Sequence, residues 1–161
     1  MVKVIDVVVT EMGFTYDGPV DMKEFLSFVK KWMKRNGYDI TEKGYETKAS
    51  GEGMKTTRVR WECDKKIDDY HKLVLKPDFS FNNYKDVKVE GKRMSEGEFK
   101  LKLDAEVERD YEERVKKPLP SFLRGFFDRF VAREKEDKVA KMLKGEAGFL
   151  VDELKGYFDI E

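Results

Sequence analysis

Apolar and polar positions change rhythm several times along this chain, and each rhythm predicts an element. Val2 to Val9 is β-branched and nearly continuous, which predicts a strand covered on both faces or lying at a domain centre. Gly13 and Asp17-Gly18-Pro19 then punctuate the chain. Asp21 with Glu24 three residues on is a capping-box pattern. Behind it Phe25, Phe28, Val29, Trp32 and Met33 recur on one face of a 3.6-residue period, predicting a helix over about 20–36. Lys34 and Arg35 suit its C-terminal dipole, and Asn36-Gly37 supplies the left-handed stop.

The middle of the chain alternates with a period of two. Tyr38 to Lys48 predicts a weak strand, and Ser50-Gly51-Glu52-Gly53 a turn. Val59, Trp61 and Cys63 alternate with Arg58, Arg60 and Glu62, giving one apolar and one charged face. Leu73, Leu75, Phe79 and Phe81 keep the rhythm past Pro77, which points to an edge strand or a break. Val87-Lys88-Val89 runs to a turn near Gly91. The clearest strand is EFKLKLDAEVERDY, with Phe99, Leu101, Leu103, Ala105, Val107 and Tyr111 on one side and lysine and acidic residues on the other. Fully extended, 98–111 would span about 45 Å, so a bend or bulge is expected. A sheet with one apolar face needs helices over it.

The last third supplies them. Leu119, Phe122, Leu123, Phe126, Phe127, Phe130 and Val131 sweep a helical arc of about 180°. Beyond it Val139, Met142, Leu143, Leu150, Val151, Leu154 and Phe158 keep the period, with Gly145 and Gly148 predicting an interruption or a helical hairpin. The fold class expected is α+β: an antiparallel multi-stranded sheet, one N-terminal helix (about 20–36), and C-terminal helices (about 119–158) packed on its apolar face. The 161 residues are expected to form one domain, with 119–158 as a semi-independent appendage and its only boundary at Lys116-Lys117-Pro118-Leu119-Pro120.

Composition narrows the function classes. Charged residues make up 41%, yet 33 basic and 33 acidic side chains cancel, so no global field draws the chain to nucleic acid or an anionic membrane. Abundant lysine and glutamate, no glutamine and only three asparagines form a thermophile-like composition. One cysteine, Cys63, makes no internal disulfide or cysteine-based zinc site, which fits a cytoplasmic setting. Neither a signal peptide nor a transmembrane segment is expected, and peripheral membrane contact is disfavoured because Asp128 and later acidic residues dilute the cationic face.

The chemistry-bearing motifs are sparse. SGEGMKTT imitates a phosphate loop, but Met54 separates Gly53 from Lys55, so a hairpin turn is expected. His71 lies near Asp64, Asp68 and Asp69 and could be drawn as a general base or metal ligand, though a solvated connection is the plainer reading. Cys63 shares the apolar parity of Trp61 and is expected buried and inert. Residues 22–60 carry ten basic against five acidic residues, but Arg58 and Arg60 sit on the parity opposite Trp61, which argues against a stacking platform; no nucleic acid is expected. No catalytic residue, cofactor or metal is assigned.

In element order (strand, helix 20–36, antiparallel strands, C-terminal helix) the chain resembles the helix-grip ligand-binding domains of the START/Bet v 1 type. The segments WMKRNGYD and FLRGFFDRF give it a look similar to uncharacterised small archaeal α+β proteins. The helix-grip resemblance implies a terminal helix enclosing an apolar cavity. The function expected is a non-enzymatic binding domain using aromatic surface of the C-terminal helices for a protein partner or self-association. Arg124, Phe126, Phe127, Arg129 and Phe130 are its expected interface, since aromatics and arginine dominate interface energetics. The alternative is a small apolar-ligand carrier whose pocket is lined by Trp32, Trp61, Phe99, Leu101 and Leu103.

Overall fold

A computed structural model describes residues 4–68, 71–109 and 132–159, with side chains over 12–68, 71–108 and 137–159. The elements are β1 (Val4–Val20), α1 (Met22–Arg35), β2 (Asp39–Gly51), β3 (Met54–Lys66), β4 (His71–Val89), β5 (Lys92–Arg109) and α2 (Ala132–Tyr157). The strands form one antiparallel sheet in the order β1-β5-β4-β3-β2. Strands β2 to β5 are a meander, and β1 pairs with the last of them. The α+β class is therefore as expected.

With β1 and β2 on opposite edges, α1 has to carry the chain across the sheet, and it does so on the apolar face. Val59, Trp61 and Cys63 of β3, Leu73, Leu75, Phe79 and Phe81 of β4, and Phe99, Leu101, Leu103, Ala105 and Val107 of β5 all join the core. Against them α1 packs Phe25, Val29, Trp32 and Met33, while α2 packs Val139, Leu143, Ala147, Leu150, Val151 and Leu154. Phe99 is the hub: its ring lies 4.8–6.4 Å from those of Phe14, Phe25, Phe79, Phe81 and Phe158. Asp21 caps α1 as its sequence predicts, its carboxylate accepting from the Glu24 N–H at 3.1 Å and held below its usual pKa by that bond first.

Four expectations need correction. The opening strand is not central: β1 pairs with β5 alone, because α1 takes the chain away to the far edge. Pro77 marks neither an edge nor a chain break. It is buried in β4 between β3 and β5, and only the β3–β4 ladder lapses opposite it, at Trp61 and Glu62, where proline has no N–H to give. The expected bulges exist but lie in the partners of β5, in β1 between Val7 and Met12 and in β4 between Asn82 and Lys85. Finally, α2 runs unbroken through Gly145 and Gly148. A helical glycine costs about 1 kcal/mol, and six buried contacts on one face outweigh that.

This geometry makes two kinds of glycine. A Cβ on Gly13 would overlap the Leu101 carbonyl oxygen far inside van der Waals contact distance, so β1 can approach β5 there only without a side chain. A Cβ on Gly148 would meet nothing within 4 Å. In urea unfolding, Gly148→Ala should raise stability by about 0.5–1 kcal/mol, and Gly13→Ala should lower it by about 1–3 kcal/mol. An unchanged midpoint for Gly13→Ala would mean that β1 does not lie in this register.

Candidate functional site

The two helices share the apolar face of the sheet, and a groove opens between side chains of the two. Phe28, on the edge of the α1 apolar stripe, and Tyr157, at the end of α2, stand 5.1 Å apart by ring centroid. Together with Phe149, Asp152, Glu153 and Gly156 they line a groove of about 380 Å³. Phe149 is 55% exposed, with one edge towards Trp32 at 6.4 Å, and Met142, one heptad earlier on the same face of α2, is 43% exposed. The opposite face of the same helix is core. Tyr157 closes one end of the groove by donating to Glu24 Oε1 at 3.1 Å, and partial burial with that carboxylate pushes its phenol up to about 12.

A polar clamp fastens α2 elsewhere. Glu146 of α2 takes the Tyr38 hydroxyl on Oε2 and Lys65 Nζ on Oε1, the latter at 2.7 Å. Lys65 also donates to the Asn36 carbonyl at 3.1 Å and lies 4.9 Å from the Tyr38 ring centroid. The clamp ties α2 to the α1–β2 connection and to β3. Burial is the first cause, and the Glu146 carboxylate the second, of a Tyr38 phenol held far above its usual pKa. The arrangement keeps the proton on the tyrosine, which suits a structural tie.

A second recess of about 240 Å³ lies between α1 and β2, lined by Lys30, Lys34, Ile40, Glu42 and Trp61. Lys30 Nζ stands 5.4 Å from the Trp61 ring centroid. Trp61 is almost wholly covered, and Glu42 offsets the lysines, so this recess offers a ligand little to hold.

The residues singled out by sequence divide sharply. Arg124, Phe126, Phe127, Arg129 and Phe130 lie outside the described residues. Trp32, Trp61, Phe99, Leu101 and Leu103 come together, but as mutually packed core. Cys63 is buried as expected, and burial pushes its thiol up to about 12. His71 is not solvated. It is 2% exposed at the start of β4, its N–H donating to Asp68 Oδ1 at 2.7 Å and Nδ1 lying 3.2 Å from both Asp68 oxygens. It has the same parity as Leu73 and Leu75, a signal the sequence held but the nearby charges obscured. Asp69 lies outside the described residues. Arg58 is spent on a two-pronged contact with Asp78 at 3.1 and 2.6 Å on the outer face. SGEGMKTT is the β2–β3 turn, with Gly51, Glu52 and Gly53 all at positive φ. Among the described residues, no three His, Cys, Asp or Glu side chains are arranged to hold a metal ion, and no helix is long and apolar enough to cross a membrane.

No family model, curated protein or solved structure matches this chain. The groove therefore has to be judged on its own geometry. Periodicity passes over Phe149 because its neighbours Leu150 and Val151 carry the core-facing rhythm of α2. The usable signal was the alternation of three and four residues through Met142, Gly145, Phe149, Asp152 and Gly156.

Two measurements check the buried groups. The unfolded Cys63 thiol ionises from pH 9.0 upward while the folded one keeps its proton to about 12. The unfolded state thus binds fewer protons in that window, and this residue alone should lower stability by about 1.4 kcal/mol per pH unit. Cys63→Ala should flatten the alkaline limb by that slope; parallel curves for the two proteins would disprove the burial. Glu146→Ala strands the Tyr38 hydroxyl and takes one of two acceptors from Lys65, and should cost about 1–3 kcal/mol in thermal or urea unfolding.

Proposed function

We propose that this chain is a non-enzymatic binding module that docks a protein through the outer face of α2 and the groove beside it. The carrying observation is the pair Met142 and Phe149, exposed on one face of a helix whose other face is buried. An exposed phenylalanine next to a groove walled by Phe28 and Tyr157 is the combination of anchor and pocket that interface hot spots use. The reading keeps the C-terminal helical surface expected from sequence and shifts its residues from 124–130 to 142–156. The carrier alternative finds less support: its five pocket residues all belong to the buried core.

The test uses full-length protein with photoreactive benzoylphenylalanine in place of Phe149, irradiated in lysate from its native cell. A covalent adduct should form from position 149 and not from Lys88, which is exposed near the far end of β4. If position 149 yields no adduct, the docking reading fails.

A further inference from the structure

The outer face of α2 carries Lys138, Met142, Gly145, Phe149, Asp152 and Gly156, alternately four and three residues apart and all exposed. That spacing is the seam by which one helix packs along another. We infer that the partner is a second copy of this chain, whose α2 packs antiparallel on this seam about a two-fold axis at the level of Ala147. Met142 of each copy then sits in the groove of the other. This rests on the docking reading above and adds the identity of the partner.

Three independent features meet in that one register. Gly145 of one copy falls opposite Phe149 of the other, and a Cβ at Gly145 would meet nothing within 4 Å, so the position is an open notch for the ring. Met142 falls at the level of Asp152, above the groove of about 380 Å³ formed by Phe28, Phe149, Asp152, Glu153, Gly156 and Tyr157. A flexible thioether side chain suits such a gap. Lys138 falls opposite Gly156, one turn from Asp152 of the other copy.

Charge also selects the direction. Within the seam the first half is cationic at Lys138 and the second half anionic at Asp152. An antiparallel pair sets opposite signs together at both ends, whereas a parallel pair sets like against like. A two-fold contact is also self-complementary by construction, so notch, anchor and charge pair each occur twice.

The experiment is sedimentation velocity of the full-length chain over a micromolar concentration series. The expected result is a dimer that Gly145→Leu converts to monomer. Leucine fills the notch but is a better helix former than glycine, so the variant should keep its far-UV circular dichroism and a cooperative melt that no longer depends on concentration, which separates lost association from lost folding. Symmetry doubles each charge change, so Lys138→Asp and Asp152→Lys should each weaken the dimer about tenfold, and the two together should restore it. A wild-type monomer throughout the series overturns the inference. A dimer indifferent to Gly145→Leu, or not rescued by the charge exchange, overturns it too, because the copies would then meet elsewhere. If the wild type is monomeric yet position 149 still cross-links to a different protein, the docking reading survives alone. A monomer with no adduct ends both.

Discussion

The sheet has one apolar face, and that face has to be kept from water by the two described helices. The rest of the arrangement answers to this constraint. Strand β5 sets the face with five apolar residues at alternate positions, and its pairing with both β1 and β4 propagates the parity outward. Phe99 concentrates the effect, drawing rings from β1, α1, β4 and the C-terminal end into one cluster. Because β1 and β2 occupy opposite edges, α1 must cross the face, and α2 fills what α1 leaves open. The groove lies where Phe28 of α1 stands beside Phe149 and Tyr157 of α2.

The clamp at Glu146 belongs to the same constraint. Apolar contact holds α2 against the sheet but fixes its rotation only loosely, since Leu, Val and Ala side chains can slide. Glu146, reached by Tyr38 from one side and Lys65 from another, allows one rotation. That rotation turns Leu143, Ala147, Leu150 and Leu154 inward and leaves Met142 and Phe149 outward. A tie with little direct bearing on binding thus decides which face of the helix a partner can meet.

Much of the fold was legible in the residues. The capping of α1, its apolar stripe, the alternation in β3 and β5, and the glycine turn between β2 and β3 all come from local chemistry. Strand order was not legible, because pairing is a long-range choice that alternation alone does not encode; hence the misplacement of β1 and of Pro77. The continuity of α2 was hidden for a different reason. Glycine propensity is a local cost, and the burial that overrides it depends on a sheet elsewhere in the sequence. His71 was obscured by its neighbours: Asp64, Asp68 and Lys66 suggest solvent, while its parity places it in the core. For the site, the residues that stood out as an apolar run lie outside the described residues, and Phe149 stood beside core positions that looked stronger.

The outer face of α2 breaks two local rules at once. Gly145 and Gly156 weaken a helix at positions where any side chain would fit, and Phe149 leaves much of a large apolar ring in water. Each disfavours the isolated chain, and contacts among the described residues offset neither in full. Local violations of this kind tend to gather where a molecule meets something else. Here they are also complementary, one removing volume and the other presenting it, on a single helix face with opposite charge at its two ends. An arrangement that is wasteful in one copy becomes consistent when two copies are set antiparallel, since Gly145 of each then receives the ring that Phe149 of the other offers. That reciprocity is what makes a second copy a better fit to this surface than an unrelated apolar segment, which would fill the groove but leave the notch and the charges unmatched.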